Sequence, residues 1–360
     1  VTDVQIPFIY VNQVGGQDEL VFDGSSLVMN GNKEIVFEAP SWDENKSVVE
    51  FDIDQNNFKN LHFDKAKTSD LENIYMATVI GLRDYVTKNN FPGVILGLSG
   101  GIDSAFCAAV AVDALGKDKV NAYMLPSVYT SKDSLEDAED CAKRLEIQLD
   151  SISIGSTFSS LEESLKKLFR GLPTDITEEN LQSRIRGTIL MAISNKKGKM
   201  LITTGNKSEV SVGYSTLYGD MNGGFNPIKD IYKTELYALA NWRNVNVPQK
   251  VLLPKKDIIP ETIINKEPTA ELRDNQKDTD SLPSYDQLDQ ILEGLIEYEL
   301  STSDLEKKGF SREEIKKVEN LLYISEYKRR QSAPGVKISL RNFGRDRRYP
   351  ITNKYRDKIE

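Results

Sequence analysis

The chain has 360 residues and a formal net charge of −9 at pH 7, with 39% hydrophobic and 28% charged residues. This length allows a large core and one to three domains, and the acidic balance argues against a general nucleic-acid binder. No apolar run approaches the roughly 20 residues of a membrane span, and no signal peptide is visible. The two cysteines, Cys107 and Cys141, form no CxxC pair, so we expect neither a zinc site nor a disulfide framework, and a reducing cytoplasm fits.

Residues 1–57 have the composition of short β-strands and turns. The apolar runs IPFIYV, ELVFDGSSLVM, EIVFEA and SVVEFDI are separated by Gly, Asn and Pro. A segment of this size does not close a sandwich alone, and the chain begins with Val1 instead of methionine. We therefore expect these residues to be the end of a longer or processed domain.

Residues 58–69 are expected to form a linker. His62 lies in it beside charged neighbours, which is typical of a solvated loop residue without a catalytic role. Apolar residues then recur at spacings of three and four from Leu71 to Val86, which predicts an amphipathic helix.

Residues 94–104 read VILGLSGGIDS and predict a buried strand, a glycine turn and a helix N-terminus. Glycines let the backbone approach an oxyanion, and the N–H groups of a helix N-terminus attract it, so the stretch is typical of a phosphate-binding loop. Ile102 and Asp103 stand where a Walker loop has glycine and lysine, and the spacing does not fit GxGxxG. A purely structural glycine turn is the alternative. SGGxDS resembles the pyrophosphate loop of the N-type ATP pyrophosphatases, which adenylate a substrate at the α phosphate of ATP and release pyrophosphate.

Strands and helices alternate after this loop. The predicted helices cover residues up to 115 and residues 134–145, 157–169 and 178–194, and the predicted strands cover residues 120–125, 149–154 and 200–204. Alternation of this kind implies parallel strands joined by helical crossovers, with ligands bound at the carboxyl ends of the strands. The predicted fold is therefore α/β, a Rossmann-like parallel sheet with helices on both faces.

Several polar side chains are candidates for this ligand edge. Asn180 and Arg184 share one helix face, although a solvated face is an equal alternative. Mg²⁺ in proteins typically uses one or two carboxylates and phosphate oxygens, so Asp103 and Glu209 are a plausible pair. Either could instead be a surface acid or a helix cap, and this alternative is favoured for Glu209 when the pattern is taken alone. Lys233 near a helix start is disfavoured by the helix dipole, which hints at an anionic partner.

The rest of the chain begins with a stretch without periodicity. Residues 258–283 are rich in charge and Pro and predict a long loop of the kind that is either disordered or a functional lid. Residues 285–298 and 303–330 return to helical patterning. Residues 327–349 concentrate positive charge, which could bind nucleic acid or a phosphorylated ligand.

Seven motifs in order closely resemble the synthetase domain of the glutamine-dependent NAD synthetases: GLSGGIDS, ENLQSRIRG, TTGNKSE, VGYSTLYGDMNGGFNP, KEPTAELR, KDTDSLPSYDQLD and YKRRQSAPGVKIS. The resemblance covers about residues 71–356. Upstream, YVNQVGGQDELVFDGSS resembles the region after the catalytic cysteine in the nitrilase-type glutaminase domain of the same family. The implied organisation is a truncated glutaminase-like segment at 1–57, a linker at 58–69 and a synthetase domain at 70–360.

The resemblance assigns residues to three roles. It implies ATP contacts by Gly97, Leu98, Ser99, Gly100, Gly101, Ile102, Asp103, Ser104, Thr204, Lys233 and Thr269. It implies deamido-NAD contacts by Asn180, Arg184, Glu209, Tyr214, Asp220 and Lys328. It implies Mg²⁺ binding by Asp103 and Glu209, with Asp103, Glu209 and Lys233 as the catalytic residues. Leu217 and Tyr327 depart from the smaller, ammonia-dependent relatives, which leaves the roles of these two positions open.

The implied reaction adenylates the nicotinate carboxylate of deamido-NAD with ATP and then amidates it with ammonia, giving NAD⁺, AMP and pyrophosphate. The family's Glu, Lys and Cys glutaminase triad would lie before Val1, so we hypothesise that this chain uses ammonia and cannot hydrolyse glutamine. A cytoplasmic homo-oligomer without membrane or nucleic-acid partners is expected. Another N-type pyrophosphatase such as GMP synthetase, and an inert nucleotide-binding sensor, are the alternatives.

Overall fold

The computed structural model describes residues 6–59 and 68–354. Its strands are β1 (Phe8–Tyr10), β2 (Val14–Gln17), β3 (Leu20–Asp23), β4 (Leu27–Met29), β5 (Ile35–Glu38), β6 (Phe51–Asp52), β7 (Asn57–Phe58), β8 (Val94–Gly97), β9 (Val120–Met124), β10 (Gln148–Ser151) and β11 (Met200–Leu201). Its helices are α1 (Asp70–Lys88), α2 (Ile102–Leu115), α3 (Lys132–Leu145), α4 (Gly155–Leu165), α5 (Ile176–Lys197), α6 (Lys207–Val212), α7 (Lys233–Val245), α8 (Glu261–Asn265), α9 (Tyr285–Ile296), α10 (Thr302–Lys307), α11 (Arg312–Ile324) and α12 (Glu326–Arg329). Two short 3₁₀ turns lie at Lys117–Lys119 and Asp278–Asp280.

A four-stranded parallel sheet with the order β10-β9-β8-β11 forms the centre of the molecule. Side chains of β8 alternate between its two faces, as strand geometry requires. Val94 and Leu96 join a core made with α1, α2 and α7, whereas Ile95 joins a second core on the α4 and α5 side. The predicted α/β fold with helices on both faces of a parallel sheet is therefore confirmed.

A buried ion pair joins α2 to α7 in the larger core. The Arg243 guanidinium donates to both oxygens of Asp113 at 2.7 and 3.2 Å, and both side chains are fully buried. The Tyr75 hydroxyl of α1 donates to the same carboxylate at 2.6 Å, and Arg243 also donates to the carbonyl oxygens of Leu253 and Lys255. This cluster fixes α2 and α7 side by side, with their N-termini at the same end.

The strands of the first 59 residues form small antiparallel sheets against α1. The strands β1, β4 and β5 make a three-stranded sheet, and β2 pairs with β3. The Gly16 amide donates to Asp84 at 2.8 Å, and Lys88 donates to the Gly16 carbonyl at 2.7 Å. Phe58, at the start of the expected linker, belongs to β7, and Ser69, at its end, caps α1. His62 and the rest of residues 60–67 lie outside the described residues.

Two sequence-based expectations differ from the structure. Residues 258–283 are not wholly loop, because Ile263 and Ile264 bury themselves in the main core and hold α8. The strand predicted at 200–204 is shorter, because β11 ends at Leu201, after which the Ile202 amide still donates to Ile95 of β8 and Phe225 pairs along the other edge. The helical patterning predicted at 303–330 corresponds to α10, α11 and α12, with side-chain N-caps at Ser301 and Ser311.

The basic C-terminal segment pairs much of its charge within the chain. Arg329 and Arg330 both bind Glu326, Lys337 binds Asp346, and Arg341 binds Glu299. These pairs do not support the interpretation of residues 327–349 as an open anion-binding surface. In the described part of the chain, no helix is both long and apolar enough to cross a membrane.

Candidate active site

The glycine turn after β8 lies at the carboxyl end of the central strands. Gly100 has φ +82°, and a Cβ there would lie 2.3 Å from the carbonyl oxygen of Ser134, so only glycine fits this close approach. Gly101 begins α2 without a side-chain cap, and the hydroxyl of Ser104 turns back to accept from the Ser99 amide. An uncapped N-terminus beside a glycine turn is a suitable cradle for a phosphate.

Two adjoining cavities of about 350 and 290 Å³ open above this turn. Thr204 and Asp220 line both of them. The larger cavity collects most of the predicted site residues: Ser99, Gly100, Gly101, Ile102, Asp103, Asn180, Thr204, Glu209, Tyr214, Asp220, Lys233, Thr269 and Lys328. The smaller cavity is lined by Gly97, Leu98, Ser99 and Ser104, by Thr204 and Asp220, and by apolar side chains such as Leu125 and Leu190.

Arg184 is the predicted site residue that lines neither cavity. Its guanidinium Nε donates to the carbonyl oxygen of Leu217 at 3.1 Å. Helical spacing placed Arg184 on the face of Asn180, but its long side chain turns to the loop after α6. In the structure, Arg184 therefore supports that loop.

Asp103, Glu209 and Lys233 meet at one end of the larger cavity. The Lys233 Nζ lies 2.5 Å from Oδ2 of Asp103 and 3.6 Å from Oε1 of Glu209. The lysine side chain is only 3% exposed, and those of Asp103 and Glu209 are 18% and 17% exposed. The Lys233 ammonium group is thus shared between two carboxylates in a largely buried site.

Burial changes the acidities of this cluster. Desolvation, together with the nearby charge of Asp103, raises the pKa of Glu209 from 4.5 to about 8. Burial alone would lower the pKa of Lys233, but Asp103 and Glu209 outweigh it and hold that pKa above its ordinary value. The site therefore keeps its lysine charged and is short of positive charge around its carboxylates.

Asn206 connects this cluster to α6; the sequence places it at the end of a strand, at the ligand edge of the sheet, without giving it a role in the site. Its side-chain oxygen caps α6 by accepting from the Glu209 amide at 3.0 Å, and its amide nitrogen donates to Asp103 at 2.7 Å. The Glu209 carboxylate accepts in return from the Asn206 amide at 3.3 Å. The N-x-x-E spacing of a capping box was the available signal.

The other predicted ligand residues surround the loop after α6. Asn180 accepts from the Thr216 hydroxyl at 2.8 Å, and Asp220 accepts from the Thr216 amide at 2.9 Å. Burial raises the pKa of Asp220. Lys328 donates to the carbonyl oxygens of Gly213 and Ser215 at 2.7 Å each, and burial lowers its pKa. This loop is therefore held from α5 and from α12.

The segment 266–276 lies across both cavities. Glu271 accepts from the hydroxyls of Ser131 and Ser134 at the start of α3, at 2.7 and 2.8 Å. Gln182 of α5 donates to the carbonyl oxygen of Leu272 at 2.9 Å, and Thr269 donates to that of Gln276 at 2.6 Å. The predicted lid region thus makes hydrogen bonds to α3 on one side of the cleft and to α5 on the other.

A family model and curated relatives both match this chain and point to the same family. The family model described as NAD synthase matches residues 74–332. A glutamine-dependent NAD(+) synthetase of Rhodobacter capsulatus is 49% identical over 361 residues, which cover 99% of this chain and 65% of that protein. This chain thus spans less than two thirds of that relative's length.

Two solved structures extend the comparison. That of a glutamine-dependent NAD⁺ synthetase from Acinetobacter baumannii, in complex with ADP, is 47% identical, with a TM-score of 0.68 over 97% of this chain and 62% of that one. That of an NH3-dependent NAD synthetase from Campylobacter jejuni is 29% identical, with a TM-score of 0.55 over 71% of this chain and 94% of that one.

Proposed function

Because this chain belongs to the NAD synthase family, we propose that it catalyses the ATP-dependent amidation of deamido-NAD to NAD⁺ with ammonia as the nitrogen source. The products are NAD⁺, AMP and pyrophosphate. The observation that carries this proposal is the meeting of Asp103, Glu209 and Lys233 beside the glycine turn, in a cavity continuous with a second one.

In the first step, a nicotinate carboxylate oxygen attacks the α phosphorus of ATP, and the bond from that phosphorus to the bridging oxygen of pyrophosphate breaks. The amides of Gly100 and Gly101 and the N-terminus of α2 stabilise the phosphates, and Lys233 balances charge that develops on the leaving group. The smaller cavity, with its apolar lining, suits the adenosine part of ATP. Catalysis here rests on positioning and on fixed charges, without a histidine.

Asp103 and Glu209 fit a divalent cation. Two carboxylates facing one lysine, with the pKa of Glu209 raised to about 8, form an oxygen-donor set that lacks positive charge. Mg²⁺ usually takes one or two carboxylates and completes its coordination with phosphate oxygens. We assign these two residues to hold it, and when bound it would neutralise phosphate charge.

In the second step, ammonium loses a proton and the resulting ammonia attacks the activated acyl carbon. The carbon–oxygen bond to AMP breaks, and a second proton leaves the nitrogen. Asn180, Tyr214, Asp220 and Lys328 line the part of the cavity proposed for deamido-NAD. The relative from Campylobacter jejuni, described as NH3-dependent, aligns over 94% of its own length, which supports ammonia use by this part of the chain.

The domain organisation is also a proposal. The small sheets before α1 are assigned to the end of a nitrilase-type glutaminase domain, residues 70–360 to the synthetase domain, and the boundary between them to residues 58–69. This assignment agrees with the longer length of the glutamine-dependent relatives. Glutamate release from glutamine by the purified chain would contradict it. A homo-oligomer in the cytoplasm completes the proposal.

Pyrophosphate release tests the function directly. The chain is incubated with ATP, Mg²⁺, ammonium and deamido-NAD, and each component is omitted in turn. Release that requires deamido-NAD and is matched by NAD⁺ formation supports the proposal. Release with xanthosine monophosphate in place of deamido-NAD would indicate a GMP synthetase type of enzyme. Tight ATP binding without release would indicate a nucleotide-binding sensor.

A further inference from the structure

Asp278 has a buried carboxylate oxygen that no group of the described chain satisfies. The residue is 6% exposed and lines the larger cavity. Its Oδ2 accepts from the Tyr285 hydroxyl at 2.8 Å and the Tyr214 hydroxyl lies beside the same carboxylate, but its Oδ1 makes no hydrogen bond. No other described residue that lines this cavity has a buried side-chain oxygen or nitrogen in that position. Because an unsatisfied buried acceptor is costly, Oδ1 marks a place where a ligand donor belongs.

The charges around Asp278 indicate what kind of donor fits. Lys233 is already bound to Asp103 and Glu209, and its Nζ lies 5.2 Å from the centre of the Tyr285 ring. Asp103, Glu209 and Asp278 line the same cavity as Lys233, so three acidic side chains are grouped with one lysine. The surplus negative charge favours a cationic donor at Oδ1.

Asp278 is not part of a site in which side chains of the described chain alone would hold a metal ion. Within residues 6–59 and 68–354, no three histidine, cysteine or acidic side chains are arranged to hold one together. Asp278 therefore does not complete a three-carboxylate metal site with Asp103 and Glu209. A small cation that brings its own N–H groups would supply both a hydrogen-bond donor and a positive charge at Oδ1.

We propose that Oδ1 of Asp278 binds the ammonium ion that supplies the amide nitrogen. This inference rests on the proposed function, which requires such a nucleophile in this cavity. Ammonium offers four N–H donors and one positive charge, and a hydrogen bond between ionised groups is about twice as strong as a neutral one. Tyr285 fixes the orientation of the carboxylate through Oδ2 and leaves Oδ1 turned to the ligand.

The test separates binding of the nucleophile from adenylation. Asp278→Asn keeps the shape of the side chain and removes its charge. Exchange of labelled pyrophosphate into ATP in the presence of deamido-NAD reports the first step and needs no ammonium. NAD⁺ formation at varied ammonium concentrations reports the second. Asp280→Asn is the matched control, because Asp280 lies on the same turn but pairs with exposed Arg273.

We expect Asp278→Asn to leave the exchange rate near that of the wild type and to raise the KM for ammonium by about 10-fold or more, the scale of one lost charge-assisted hydrogen bond. Asp280→Asn should change neither. Hydroxylamine is mostly uncharged at neutral pH, so its KM should rise much less than that of ammonium. The inference is overturned by an unchanged KM for ammonium or by equal increases in the KM for ammonium and for hydroxylamine. Loss of the pyrophosphate exchange into ATP overturns it as well.

A second variant tests the inference if Asp278→Asn does not fold. If Asp278→Asn melts far below the wild type, Tyr285→Phe takes its place, because it removes only the hydroxyl that orients the carboxylate. Its KM for ammonium should rise by a smaller factor with exchange intact, and an unchanged KM overturns the inference. If the wild type itself shows no exchange that depends on deamido-NAD, the proposed function fails, which is a different result from an unchanged KM.

Discussion

Glu209→Gln should make the ligand-free protein more stable at alkaline pH while abolishing its activity. The substitution keeps the side-chain oxygen that accepts from the Asn206 amide in the capping box of α6. It removes a negative charge that lies beside Asp103 in a largely buried site. The capping hydrogen bond of α6 is thus preserved, and only the electrostatic cost of burying a negative charge at position 209 changes.

The magnitude follows from the pKa of Glu209, which rises from 4.5 to about 8 on folding. The folded state holds this proton more tightly than the unfolded chain, so the stability contributed by this group falls as the pH rises from about 4.5 to about 8 and is then constant. At 1.36 kcal/mol per pH unit, the wild type loses roughly 5 kcal/mol across this window, and Glu209→Gln avoids that loss.

Urea unfolding in EDTA at pH 5, 7 and 9 measures the effect. The difference in the free energy of unfolding between Glu209→Gln and wild type should be small at pH 5 and reach several kcal/mol at pH 9. Glu136→Gln is the control, because Glu136 is 61% exposed and pairs with exposed Lys132. Mg²⁺ should narrow the gap by stabilising the wild type. A Glu209→Gln protein no more stable than wild type at pH 9 would refute the reasoning.

Three further predictions concern the two helices that meet at the site. Asp103→Asn and Lys233→Ala should each lower the turnover of NAD⁺ formation by more than about 100-fold through lost electrostatic stabilisation, and near-normal turnover in both would remove the proposed mechanism. Asp113→Ala should lower the free energy of unfolding by about 3 to 5 kcal/mol, since it strands the buried Arg243 charge, and a loss below about 1 kcal/mol in urea unfolding would contradict this. Gly100→Ala should weaken ATP binding measured by calorimetry, because its Cβ would lie 2.3 Å from a carbonyl oxygen of α3.

The fold was predictable where local pattern and tertiary environment agree. Strand β8 is a continuous apolar run buried on both faces, and α2 follows a glycine turn and ends before Gly116. By contrast, α8 has five residues, too few to show a helical period, and forms because Ile263 and Ile264 enter a core assembled by distant elements. Strand β11 is only two residues long, although the Ile202 amide still donates to Ile95 of β8 and Phe225 pairs along the other edge.

The candidate site was predictable to the extent that motifs carry it. Asp103, Glu209 and Lys233 lie far apart in sequence, and the structure brings them to one end of a cavity. Asp278 could not be distinguished in the same way. It lies in a stretch rich in charge, close to exposed Asp280, and only the folding of that stretch over Tyr285 buries one acid and leaves the other in solvent.

Helices α2 and α7 are joined by two ion pairs, and the two pairs are the same number of residues apart on each helix. Asp103 pairs with Lys233 and Asp113 with Arg243, ten residues further along both helices, or about 15 Å. The far pair lies in the core and does not take part in substrate binding, so it keeps the alignment of the helices when the near pair is replaced. Inactive variants at Asp103 or Lys233 should therefore retain a correctly shaped cleft, which makes them good candidates for trapping both substrates together in a crystal.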